Sequence, residues 1–154
     1  MSHPATIGLL LSVSILLSAC TTSTPVSKMQ ILSDPAHDGR NLPFSEAIRA
    51  GDFIFLSGQI AAKPGTLDLV PGGIQAETRQ VMDNIQDVLN RHRSSMDDIV
   101  KCTVFIEDMQ DWPAMNEVYV TYFPNHKPAR SAVGADGIAL GGGVEIECIA
   151  YQPQ

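Results

Sequence analysis

The sequence predicts an α+β domain, a two-layer mixed β-sheet with two helices on one face. Three observations carry this. The chain has 154 residues, 44% hydrophobic and 18% charged, enough for one domain with a real core. Apolar residues recur at helical spacing over residues 74–93 and again after Asp111. Runs that alternate apolar and polar residues, at 98–108 and 143–151, read as half-buried strands. Two amphipathic helices cover one face of such a sheet and leave the other to be explained.

The first twenty residues stand apart from that domain. In MSHPATIGLLLSVSILLSAC the apolar run from Ile7 to Leu17 is too short for an ordinary membrane-spanning helix, and small residues follow it. Leu17-Ser18-Ala19-Cys20 resembles the bacterial lipoprotein signal, which implies cleavage after residue 19 and lipidation of Cys20; the lesser reading is an ordinary cleaved signal with an incidental cysteine. No Lys or Arg precedes Ile7, a departure from the usual positive start. Thr21 at the next position implies sorting to the outer membrane of a cell envelope. Residues 20–30 then form a lipidated, flexible tether of Ser, Thr and Pro, and residues 31–154 the folded domain.

Within the domain, AIRAGDFIF reads as a hairpin turning at Ala50-Gly51-Asp52, and GDFIFLSGQIA as a β-rich run. Residues 63–73 are a turn-rich loop. The helix over 74–93 places Glu77 in its first turn and Arg91, His92 and Arg93 in its last, as the helix dipole favours. In the strand over 98–108, Val100, Cys102, Val104 and Ile106 point one way, and Lys101, Thr103 and Phe105 the other. Asp111 reads as the N-cap of a second helix, with Pro113 in its first turn, a stripe of Met115, Val118, Tyr119 and Tyr122, and Pro124 as its stop. ARSAVGA and GVEIECIAY supply the last two strands. Cys102 and Cys148 both sit in apolar strand runs and read first as small core hydrophobes, with a disulfide as the lesser option.

The net charge is −7 and no dense Lys/Arg cluster interrupts it, which argues against a nucleic-acid partner. The four histidines lack metal-ligand spacing, the cysteines form no CxxC pair, and the glycine-rich stretches lack the Lys-Ser/Thr of a phosphate loop. No cofactor or metal is implied. In HKPARSAVG, Pro128 stiffens the backbone before Arg130. That residue is either a surface arginine closing a loop or a fixed fork for a carboxylate or phosphate. Glu145 and Glu147 share the strand face away from the helices, as solvated charges or as part of a subunit interface.

FIFLSGQIA, ETRQVMDNIQDVL, IVKCTVFIEDMQDWPAMNEVYVTYF, KPARSAVG and VEIECIA occur in the order and spacing of the RidA (YjgF) family, over residues 40–152. The resemblance implies a chorismate-mutase-like fold, assembled as a homotrimer around a central β-barrel with clefts between subunits. It also implies hydrolysis of 2-imino or enamine acids to 2-keto acids and ammonia. Arg130 matches the arginine that grips the substrate carboxylate, and Glu145 the glutamate that activates water. Ser57, Gly58 and Asn116 match residues lining the substrate cleft. Two departures fall in that cleft: Phe44 stands where the family usually has tyrosine, and Ala132 where many members have cysteine.

Two functions from different classes follow: an imine deaminase in the cell envelope, or a non-catalytic module binding small carboxylate or carbonyl ligands. The second draws on location, because the enzymes that generate such imines are expected in the cytoplasm.

Overall fold

The structure, a computed structural model, describes residues 29–33 and 42–153. Cys20, the expected leader and most of the expected tether lie outside the described residues. Seven strands and two helices follow in order: β1 (Gln30–Leu32), β2 (Ala47–Ala50), β3 (Phe53–Leu56), β4 (Gln59–Ile60), α1 (Gly73–Arg91), β5 (Ile99–Ile106), α2 (Trp112–Tyr119), β6 (Ala129–Gly134) and β7 (Val144–Tyr151). They form one mixed sheet in the order β1-β2-β3-β7-β5-β6, with β4 also paired to β7. Only β5 and β6 run parallel, which is why α2 lies between them as the crossover. Both helices cover one face, as the sequence predicts.

The core lies between helices and sheet. Val81, Ile85 and Leu89 of α1 and Met115 of α2 are fully buried against Ile54, Val104 and Ile146. Each such side chain contributes about 1.5–3 kcal/mol through removal from water. The opposite face keeps Phe53, Phe55, Val133 and Tyr151 exposed, with Phe53 and Tyr151 in ring contact at 5.2 Å.

Local readings of the sequence need correction at several points. The β-rich run over 51–61 is two strands, because Ser57 and Gly58 break the ladder between β3 and β4. β1 was not anticipated. The first turn of α1 holds no acidic residue; Glu77 instead accepts the backbone N–H of Gly143 at 2.6 Å, pinning the loop before β7. Val100 does not share a face with Cys102, because an irregularity between Ile99 and Lys101 buries Ile99 and turns Val100 outward. Asp111 occupies the N-cap position of α2 without a side-chain bond; Asp108 is the carboxylate that accepts a backbone N–H, from Gln110 at 2.8 Å.

Cys102 and Cys148 are disulfide-bonded, contrary to the reading as free core thiols. They are direct register partners on adjacent antiparallel strands, with Cα atoms 4.1 Å apart, so β5–β7 pairing itself brings the sulfurs together.

Candidate functional site

The rung that holds the disulfide continues into Arg130, which pairs with Cys102 across the parallel β5–β6 ladder. Cys102 faces the core, so Arg130 also projects to the helix side, at the edge of the sheet. There α2 receives it. Arg130 Nη1 donates to Asn116 Oδ1 at 2.7 Å, and its guanidinium lies 4.7 Å from the centre of the Tyr119 ring. Asn116 and Tyr119 are three residues apart and share a helix face, so one turn of α2 supplies both a hydrogen bond and an aromatic platform. Tyr119 is buried, its hydroxyl has no hydrogen-bond partner, and burial pushes its pKa up to about 12, against the smaller opposing pull of Arg130. It is neutral at ordinary pH. Ala132, two residues along β6, faces the same side and packs against the core.

Tyr119 is the functional residue that sequence reasoning placed only in the buried stripe. Its spacing of three from Asn116 was the available signal. That it underlies Arg130 depends on how α2 crosses the β5–β6 edge.

Glu145 faces the other way. Its neighbours Val144 and Ile146 are fully buried beneath the helices, and it pairs with Phe105 and Ile60 on the bare face. Its carboxylate lies against Gly58. A Cβ on residue 58 would overlap Oε1 and lie 2.7 Å from Cδ, so the carboxylate holds this position only because residue 58 has no side chain. Ser57, expected as a substrate contact, donates its hydroxyl to the carbonyl of Ser45 at 2.6 Å and ties the segment before β2 to β3. Phe44 is exposed on that segment. Phe44 and Gly58 both line an open cavity of about 920 Å³, together with Gln59, Lys63 and Asn84. Glu147 is exposed, opposite Thr103.

The expected site residues therefore fall into two groups. Arg130, Asn116 and Ala132 sit on the helix side at the β6 edge. Glu145, Gly58, Ser57 and Phe44 cluster where β4 meets β7. Within one chain, the sheet separates the arginine from the glutamate.

Comparisons with known proteins agree with the motif order. Residues 39–152 match the family described as Endoribonuclease L-PSP. The chain is 46% identical over 110 residues to a RutC family protein of Pyrococcus horikoshii, covering 71% of this chain and 87% of that one. It is 38% identical over 110 residues to the 2-iminobutanoate/2-iminopropanoate deaminase of Mus musculus, covering 71% and 82%. The crystal structure of E. coli TdcF with bound serine superposes with a TM-score of 0.68 at 33% identity, covering 72% of this chain and 89% of TdcF.

Proposed function

The chain belongs to the Endoribonuclease L-PSP family, the RidA family of the sequence resemblance, and on that premise we propose that it hydrolyses 2-imino and enamine acids to 2-keto acids and ammonia. The observation that carries this reading is the fixed guanidinium of Arg130, held by Asn116 and Tyr119 with donors to spare for a carboxylate. The relatives named as deaminases and the serine-bound TdcF support a small acid as the ligand.

The reaction assigns the two groups complementary work. Arg130 grips the substrate carboxylate and fixes the imine carbon, an orientation effect. Glu145 takes a proton from water as the oxygen bonds to that carbon, and the C=N π pair moves to nitrogen, which becomes protonated. That proton comes back from Glu145 and gives a neutral carbinolamine; Glu145 then takes the hydroxyl proton and passes it to the nitrogen as the C–N bond breaks, the carbonyl forms and ammonia leaves. Because one chain holds the two groups on opposite sheet faces, the proposal includes a homotrimer in which Arg130 of one copy meets Glu145 and Gly58 of another. The exposed aromatic residues of the bare face suit that burial. Phe44, without a hydroxyl, leaves the cleft mouth more apolar than tyrosine would. The proposal also places the protein in the cell envelope, lipid-anchored through Cys20.

Ammonia release from 2-iminopropanoate generated in situ tests the activity. Arg130→Ala is expected to abolish it while the chain still folds, and full activity in that variant would remove the proposed role. One observation favours a second reading, a carboxylate-binding module: Arg130 is complete as a clamp within a single chain, without Glu145. Tight 2-keto acid binding with no turnover in either the parent or Glu145→Gln would select it.

A further inference from the structure

Away from Arg130 and Glu145, the fold gathers positive charge that the sequence keeps apart. An open cavity of about 590 Å³ lies beneath the C-terminus of α1 and is lined by Arg49, Arg91, His92, Arg93, Gln30 and Gln152. The linear sequence shows no such concentration, because Arg49 lies on β2, well before the Arg-His-Arg run. In a chain of net charge −7, three guanidinium groups around one cavity need an explanation.

Arg49 is the central oddity. It pairs with Ile54, which is fully buried, and thus occupies a core-facing position of β2 where alternation calls for an apolar residue. It is only 7% exposed. Its Nη2 donates to neutral acceptors, the His92 carbonyl at 3.0 Å and Gln152 Oε1 at 2.8 Å, while its Nη1 has no acceptor. Among the described residues it has no carboxylate partner. A buried guanidinium without a counter-charge is costly unless an anion accompanies it.

The surroundings fit that anion. Arg91 is already committed to Glu46 and Asp87, and Glu46 also faces His92 Nε2 at 3.7 Å, from the side of the larger cavity. Arg93 is exposed and has no acidic partner among the described residues. Its backbone sits at φ 60, a left-handed conformation that glycine would hold without strain. The carbonyls at a helix C-terminus normally repel anions, but here Arg49 engages that of His92 and Gln152 Nε2 engages that of Arg93. Among the described residues, two positive charges, one fixed in the floor and one exposed at the rim, have no acidic partner.

We infer that this cavity is a binding site for a phosphate group, with Arg49 as its buried charge, Arg93 as the closing guanidinium and the Gln30 and Gln152 amides as further donors. Two uncompensated guanidiniums favour a dianion over a simple carboxylate, and the cavity volume leaves room for a small organic group on the phosphate. The inference is independent of the proposed hydrolysis.

Inorganic phosphate and glycerol phosphate are titrated into the full chain at constant ionic strength, following the thermal midpoint and binding heat. Saturable stabilisation that chloride does not reproduce is expected. Arg49→Met alters the core, so the rim variant Arg93→Ala carries the test: phosphate binding should weaken at least about tenfold, with the phosphate-free melting temperature unchanged. Arg130→Ala should bind phosphate like the parent. Capture by vesicles containing phosphatidic acid, competed by free phosphate, would name a lipid headgroup as the source; glycerol phosphate binding without vesicle capture would name a soluble ester, and either result supports the site. No phosphate-dependent stabilisation, an unchanged response in Arg93→Ala, or loss of binding in Arg130→Ala would overturn it.

Discussion

Glu145 reaches its position only because residue 58 is glycine: the carboxylate of one strand occupies the space where the other would carry a side chain. The clash that any larger residue would create falls on the carboxylate end of Glu145, which can swing away. Gly58→Ala should therefore cost little stability, within about 1 kcal/mol, while displacing the proposed general base. Ammonia release from 2-iminopropanoate should fall by about tenfold or more, measured beside a thermal melt. Equal losses in folding and activity would mean that Gly58 matters for packing alone.

Tyr119 supports Arg130 through its ring, not its hydroxyl. Tyr119→Phe keeps the platform and removes a buried, unpartnered oxygen, so stability and substrate affinity should hold or improve. Tyr119→Leu removes the cation–π contact, worth about 0.5–2 kcal/mol, and should raise KM for a 2-imino acid by roughly two- to thirtyfold. Recovery in the Phe variant, compared with the Leu variant, separates this role from simple core filling.

Alkaline titration should isolate the same residue. Burial raises the Tyr119 pKa from 10.0 to about 12, so the folded state holds this proton more tightly than the unfolded one. Its contribution to stability is complete below pH 10 and is lost as pH rises towards about 12. Tyr122 is shifted in the same direction by burial and by its bond to Asp83. Ultraviolet absorbance of phenolate should thus show late ionisation, and Tyr119→Phe should remove one late step and flatten the fall in stability over that range.

The disulfide closes a sequence separation of 46 residues across two central strands. Reduction, or the double substitution Cys102→Ala with Cys148→Ala, should lower stability by about 2–4 kcal/mol. Denaturant melts with and without reductant measure this. Thiol labelling of the unfolded, unreduced chain should leave both cysteines unmodified.

The proposed assembly through the bare face predicts that Phe55→Asp yields a monomer lacking the proposed deaminase activity while Arg130 keeps its partners. Phe55 is 44% exposed in the single chain, so the substitution should not disturb the core. Light scattering reads the mass. A parent chain that is itself monomeric and active would contradict the two-copy site.

Much of this was legible in the residues because period and burial coincide. The alternation of β7 put Glu145 opposite the helices, and the helical spacing in α1 marked Val81, Ile85 and Leu89 as core. What escaped depended on register. Nothing local to Val100 reveals that the strand slips by one residue there, and nothing near Cys102 says that Cys148 will stand opposite. The separation of Arg130 from Glu145 likewise required knowing that β5–β6 pairs Arg130 with Cys102 while β7–β5 pairs Glu145 with Phe105. Arg49 was invisible for another reason: a single arginine in a hairpin reads as surface until α1 is seen to end above it.

Of the described strands, the last in sequence is also the middle one in the sheet. Until β7 is added, β1–β3 have no ladder to β5 and β6, so the two halves remain separate pieces joined by α1 and its loops. A nascent chain on the ribosome therefore cannot complete this fold until β7 has emerged. Deleting even half of that strand would do more damage than removing β1 entirely, because it unfastens a centre and not an edge.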